Sequence, residues 1–308
     1  MKQLLTILKN PTGRLAALAL VLVSAAAPVA QAQDDLLGQL EQDTKKNNTT
    51  ELVEATFKST RLINGHTVQT PGEGTLVFLF SHNFGTLNSG AYEFFGLDNA
   101  QVRLALEYAV TDRLEVGLGR SSLGKTIDGF LKYKAIQQSA GAHAMPVSVT
   151  LLTSAAVTTY RYLDNYDRNL SLRTAYTYQA LVARKFSSNL SLQLMPTLIH
   201  RNLVMSEGEK NDVYALGGGG RYKLTKRFSV DAEYYYLLSK YAADNYRNSI
   251  GLGVDIETGG HIFQLHISNA QGMIEKQFIA ETPYNFFKGD IFFGFNVSRN
   301  FTVKQRNR

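Results

Sequence analysis

The stretch Arg221-Tyr-Lys-Leu-Thr-Lys-Arg-Phe-Ser-Val-Asp-Ala-Glu-Tyr-Tyr-Tyr-Leu-Leu238 decides the fold. Tyr222 and Leu224 share one side of a first strand, and Phe228, Val230, Ala232, Tyr234 and Tyr236 share the same side of a second. Arg221, Lys223, Ser229, Asp231 and Glu233 take the other side. Strict period-2 alternation marks strands with one apolar and one polar face. With Thr225-Lys226-Arg227 as a three-residue loop, Leu224 faces Phe228 and Tyr222 faces Val230. Arg221 then faces Asp231, an opposite-charge cross-strand pair.

The same arithmetic recurs along the chain. Around Thr111-Asp112-Arg113 it pairs Val110 with Leu114, Tyr108 with Val116 and Leu106 with Leu118. Around Ser187-Ser188-Asn189 it pairs Phe186 with Leu190 and Val182 with Leu194. A two-residue Gly259-Gly260 turn pairs Ile256 with Phe263 and Val254 with Leu265, and glycine suits the positive φ of such turns. Hairpins of one design predict an all-β, up-and-down antiparallel sheet of about twelve strands. They are expected near 75–84, 101–110, 113–121, 126–136, 146–160, 170–186, 189–200, 212–224, 228–238, 247–257, 260–269 and 289–301. Short and long connections alternate, the Ser122–Lys125 link excepted, so the short turns gather at one end and the long loops at the other.

The 308-residue chain has a formal charge of +6 and no cysteine, which excludes disulfides and a lipid-modified cysteine. Lys2, Lys9 and Arg14 precede an apolar run from Leu15 to Ala27 and an Ala30-Gln31-Ala32 cleavage signature. Residues 1–32 therefore read as a secretory signal peptide, shorter in its apolar run than the roughly twenty residues of a spanning helix. Residues 33–73 read as a polar periplasmic leader or linker, with turns at Asn64-Gly65 and Pro71-Gly72, 74–302 as the barrel and 303–308 as a polar tail. No later apolar run reaches the length of a transmembrane helix. A closed barrel is the other structure that satisfies its backbone in lipid.

Lipid is expected outside the barrel. Arg103, Glu107, Glu115, Asp128, Lys132, Lys134, Arg173, Arg221, Asp231, Glu233 and His266, with Lys223 and Asp255, fall on the polar side and are the candidate lumen-lining residues. Aromatic residues collect near strand ends, with Phe94, Phe95, Tyr160, Tyr162, Tyr236, Tyr246, Phe286 and Phe287 on the long-loop side. Phe186, Tyr222 and Phe228 occupy the other end, as in the girdles of membrane barrels. A soluble barrel, with its apolar face turned inward, is the alternative.

The last strand resembles the C-terminal recognition strand of bacterial outer-membrane proteins, although a tail follows Phe301. That resemblance implies the barrel-assembly machinery as a partner through Ile291–Phe301, and outer-membrane lipid as the surroundings. The stretches Ala55-Thr-Phe-Lys-Ser-Thr-Arg-Leu-Ile-Asn-Gly65, Ser81-His-Asn-Phe-Gly85, Phe94-Phe-Gly-Leu-Asp98, Asp128-Gly-Phe-Leu-Lys-Tyr-Lys134, His200-Arg-Asn-Leu203, Ile256-Glu-Thr-Gly-Gly-His261 and Gly272-Met-Ile-Glu-Lys276 resemble an uncharacterised β-barrel family of Bacteroidota-type bacteria. The resemblance implies an outer-membrane barrel and carries no substrate.

Catalytic chemistry has little footing in these residues. The six histidines are scattered without metal-ligand spacing, so no metal or cofactor is expected, and no basic cluster points to nucleic acid. Gly217–Gly220 sits in a strand, where it allows curvature or close packing rather than phosphate binding. His266-Ile-Ser-Asn269 resembles the His-x-Ser segment of outer-membrane phospholipases, which act at the lipid face. Here the apolar side belongs to Phe263, Leu265 and Ile267, which turns His266 and Ser268 inward, and Asn269 is too near in sequence to orient the histidine across strands. The leading expectation is a non-enzymatic barrel serving as a narrow channel or small-solute transporter. The alternatives are a structural or partner-binding barrel with a plugged lumen and, third, a lipid-modifying enzyme.

Overall fold

The computed structural model describes residues 50–161, 166, 168–204, 206–238 and 246–304. The expected signal peptide, residues 33–49 of the leader, Tyr162 and the last four residues lie outside them. The chain divides into two compact units. Of the first, Thr50, Glu51 and Ala140–Ala144 are described; the second, Leu52–Ser139 with Met145–Arg308, carries the barrel.

Twelve strands form that barrel: β1 (Thr75–Thr86), β2 (Ala100–Ala109), β3 (Leu114–Ser121), β4 (Thr126–Ile136), β5 (Ser148–Thr158), β6 (Thr174–Lys185), β7 (Leu190–Arg201), β8 (Asp212–Lys223), β9 (Phe228–Leu237), β10 (Ser249–Thr258), β11 (His261–Ser268) and β12 (Phe292–Thr302). Each runs antiparallel to its neighbours, and β12 pairs with β1, so closure leaves no exposed sheet edge. The hairpin registers follow from side-chain alternation. Arg221 lies opposite Asp231 and Tyr222 opposite Val230, Tyr108 opposite Val116, Val182 opposite Leu194, and Ile256 opposite Phe263. In the three-residue loops Val110, Phe186 and Leu224 donate their N–H groups to the carbonyls of Leu114, Leu190 and Phe228.

One turn is built differently from its expectation. Neither Gly259 nor Gly260 has a positive φ; the Gly260 N–H instead donates back to the Thr258 carbonyl, a three-residue turn that closes the same register.

The outward face is apolar. Leu118 is 63% exposed and Leu194 56%, with Leu106, Leu131, Leu151, Tyr178, Leu252 and Leu265 alongside them on successive strands. An apolar belt this extensive would be untenable against water and belongs in hydrocarbon, which decides against the soluble arrangement. Facing inward on the barrel strands, Arg103, Glu107, Glu115, Lys132 and Glu233 are buried. The inner wall is not polar throughout, however. Leu181, Met195, Ile199, Val213, Ala215, Tyr235 and Leu237 give β6 to β9 an apolar inner sector. Among the aromatics assigned to strand ends, Tyr246 is half-buried against that sector, and Phe94 and Phe95 lie in the β1–β2 loop with φ values of 45° and 54°.

Candidate functional site

Residues 53–73, left by the alternation to a leader or linker, enter the lumen from the short-turn end. Val53 donates its N–H to Gln138 at 2.8 Å, and Thr70 and Glu73 bond to Asp112 in the β2–β3 turn, so the segment enters and leaves at the same rim. Between these points it is a hairpin. Arg61 bridges His66, Leu62 donates to the Gly65 carbonyl at 2.8 Å and Thr67 to that of Thr60 at 2.9 Å. Asn64-Gly65 is its turn, set deep in the barrel rather than at the surface. A Cβ on Gly65 would overlap the Tyr235 hydroxyl, so the closeness of tip and wall requires glycine there.

Inward side chains hold this plug by its backbone. The Glu233 carboxylate accepts from the N–H groups of Ile63 (3.3 Å), Asn64 (2.9 Å) and Gly65 (3.0 Å). Gln193 accepts from Val68 N–H at 2.8 Å and donates to the His66 carbonyl at 2.7 Å. Asn296 and Gln264 donate to the carbonyls of Ile63 and Leu62, Thr150 to that of Val68, and Lys132 to that of Gln69. A segment inside a barrel has no sheet partner along its length, and buried backbone groups must be satisfied. The wall's acceptors and donors do so here.

Charge pairing completes the polar half of the lumen. Arg103 forks onto Asp128 (Nε–Oδ1 3.0 Å, Nη2–Oδ2 2.5 Å), and Lys132 meets Glu115 at 3.1 Å. Arg61, from the plug, reaches Glu107 at 3.3 Å, which also accepts from Thr60 Oγ1 at 2.6 Å. Arg221 stands opposite Asp231, but its guanidinium bonds to Ser229 (2.8 Å) and keeps 3.8 Å from Asp231 and 3.7 Å from Asp255.

A second intrusion comes from the long-loop end. The β11–β12 loop folds inward with Ala270, Met273, Ile274, Phe278, Ile279 and Ala280 buried, and Lys276–Ala280 forms a π-helical turn. Phe278 packs edge-on against Tyr235, with centroids 5.3 Å apart, and with Phe57, Leu62 and Val68 of the plug it joins the apolar sector of β6–β9. Glu275 meets the plug: its Oε1 lies 3.5 Å from Arg61 Nη1 and 3.4 Å from His66 Nε2. Burial, reinforced by Arg61, Lys132 and Arg103, holds the His66 imidazole well below its ordinary value. Burial pushes the Glu275 carboxyl up, opposed by Arg61.

One of the candidate lumen residues sits elsewhere. Arg173 precedes β6 and donates Nε to the Arg168 carbonyl within the β5–β6 loop, at 2.7 Å, because the strand begins at Thr174 rather than at residue 170. Lys134 keeps the inward side of β4, opposite the buried Thr150, and is half-buried near the short-turn end. His266 is buried inside the wall, with its Nε2 2.9 Å from Asn83 Oδ1 across two strands. Ser268 accepts from the Ala270 N–H, and Asn269 braces Ile250, Asn248 and Tyr284. The histidine and serine do not bond to each other, and both face away from lipid.

The Gly217–Gly220 run, read from the sequence as allowing curvature or close packing, shapes the plug's seat together with glycines of β10. On β8, Gly217 and Gly219 point inward, and a Cβ on Gly219 would overlap Leu62. On β10, a Cβ on Gly251 would lie 3.1 Å from Ile63, and one on Gly253 3.4 Å from it. These wall glycines make the recess into which Leu62 and Ile63 fit.

The family model described as a membrane bound beta barrel domain (DUF5777) matches residues 57–301, from within the plug to the last strand. The chain belongs to that family. No curated protein matches it. Among solved structures it is similar to the NanC porin (8% identity, 75% of this chain and 100% of that one, TM-score 0.46) and the KdgM porin (10%, 74% and 99%, 0.44). The Acinetobacter baumannii outer membrane protein Omp33 is similar too (10%, 74% and 99%, 0.41). Likeness at this level bears on neither substrate nor conductance. The barrel itself is membrane-spanning.

Proposed function

We propose that this protein is an outer-membrane small-solute channel closed by its own N-terminal hairpin, with no enzymatic role. The observation that carries the reading is the way the plug is held. Glu233, Gln193, Gln264 and Asn296 bind its backbone through hydrogen bonds that water can replace. Such contacts favour a segment that can leave a hydrated lumen. Once it leaves, Glu107, Lys132 and Glu233 face an open path with both signs of charge, suited to a small polar solute. Twelve strands fall between side-chain-filled barrels of about eight and open porins of about sixteen, so the pore is narrow. The signal-like N-terminus supports delivery across the inner membrane.

A second reading, a permanently filled barrel that serves as scaffold or partner-binding element, is favoured by one observation. Phe57, Leu62 and Val68 join Phe278 and Ile279 in an apolar cluster inside the barrel, which resists hydration. Planar-bilayer recording separates the two. The chain from residue 33 onward should be silent or open rarely, and a variant lacking residues 53–72 should conduct in steady, salt-dependent steps. A folded deletion variant that stays silent would sink the channel reading and leave the scaffold.

A further inference from the structure

Leu192, Leu194, Gly218, Gly220, Ala232 and Leu252 border an outward-facing depression of about 1270 Å³ that extends across the lipid-facing wall from β6 to β12. Its two glycines differ. The space beside Gly220 is taken by Leu192, whereas a Cβ on Gly218 would meet only Leu194, at 3.9 Å. The protein's own packing therefore does not demand glycine at 218. Its inward neighbours Gly217 and Gly219 are crowded by Tyr235, Met195 and Leu62. A recess in a wall bathed by hydrocarbon cannot stay empty, because its lining would lose dispersion contacts on one side.

The ends of the recess are not equivalent. At the short-turn end Arg184 lines it, turned outward and stacked over Phe186, its guanidinium carbon 5.2 Å from the ring centroid. Lys226 and Arg227 lie exposed in the turn joining β8 to β9, the two strands that carry its floor. None of these three bases forms an ion pair among the described residues. Of the acidic groups on the same strands, Asp231 and Glu233 face the lumen, and Asp212, turned outward, lies at the long-loop end of β8 beside His200. An apolar trough ending in uncommitted cations matches a molecule with long acyl chains and an anionic head.

We propose that this depression binds an anionic phospholipid from the leaflet at the short-turn end. Its acyl chains lie over Gly218, and its phosphate sits among Arg184, Lys226 and Arg227. The site rests on the membrane-barrel assignment and is independent of whether the plug moves, so a silent barrel in the bilayer experiment leaves it untouched.

Native mass spectrometry of the detergent-solubilised barrel, titrated with dioleoyl phosphatidylglycerol or dioleoyl phosphatidylcholine, tests it. One phosphatidylglycerol should be retained per barrel, about fivefold or more in preference to phosphatidylcholine, since a basic side chain near an anionic surface contributes about that factor. Arg184→Gln with Lys226→Gln and Arg227→Gln should erase the preference while leaving weak retention of both lipids. Gly218→Leu should block retention of both, with the barrel's heat-modifiable gel shift and strand circular dichroism confirming that it still folds. Equal retention of the two lipids by the unmodified protein, or unchanged retention by Gly218→Leu, would overturn the site. So would a lipid-free dimer cross-linked through Cys substituted at 218, which would make a second copy the occupant.

Discussion

Replacing Glu233 with alanine should release the hairpin tip without unfolding the barrel. The carboxylate accepts three N–H groups, from Ile63, Asn64 and Gly65, at 3.3, 2.9 and 3.0 Å. Its loss strands three buried donors, each costing about 1–3 kcal/mol if nothing relaxes. The side chain vacates room beside them, and a water there could satisfy one, which brings the net cost to roughly 3–4 kcal/mol. At about 1.4 kcal/mol per decade, the docked fraction relative to the released one should fall roughly 10²- to 10³-fold. Amide hydrogen exchange in detergent micelles reads this directly. Peptides spanning 60–68 should lose that much protection, while peptides within β6 and β7 keep theirs. Tip amides that exchange as slowly in the variant as in the parent, with the strands intact, would refute the claim that this carboxylate holds the plug. Equal loss of protection in tip and strands would refute the claim that plug release is separable from barrel unfolding.

Other substitutions follow from the same geometry. Gly219→Val fills the recess that Leu62 occupies, an overpacking cost of about 1–3 kcal/mol, and should raise open probability in planar bilayers relative to the parent chain. Arg103→Leu leaves Asp128 buried without its fork and should cost about 3–5 kcal/mol in urea unfolding from vesicles, with Arg103→Leu/Asp128→Asn recovering most of it. The docked His66 imidazole takes up protons less readily than the released one, so docking weakens as pH falls below the ordinary value of 6.5. Glu275, whose carboxyl is raised, acts the other way: docking gains as pH falls through its raised value toward 4.5. Tip-amide protection measured from pH 7 to pH 5 should therefore fall more in the parent than in His66→Gln, and identical profiles would remove His66 from the account.

Strand count, register and the sidedness of the wall were legible because each follows from period-2 alternation. Arg221 opposite Asp231 and Val182 opposite Leu194 needed nothing more than a loop length. The plug was not legible. Residues 53–72 carry no strand period, since their burial is secured by wall side chains that bond to their backbone, a pattern without a signature in the plug's own residues. Its trace lay in the wall, in glycines repeated on the inward side of β8 and β10 and in a carboxylate at 233 without a cross-strand cation: its partners in the register are Gly219 and Gly251. Likewise the apolar inner sector on β6 escaped notice because Ala180, Leu181, Val182 and Ala183 run together and hide the alternation. Arg173 was misplaced for a simpler reason, an uncertain strand start.

The plug's partners are spread along the whole barrel sequence rather than gathered in one hairpin. The hairpin is synthesised before any barrel strand, and its anchors at Asp112, Glu107 and Lys132 belong to the first hairpins that follow it. Gln193, Glu233, Gln264 and Asn296 come later, and β12 closes the seam against β1. The hairpin thus bonds to early and late strands alike, so one segment ties together the circumference that encloses it.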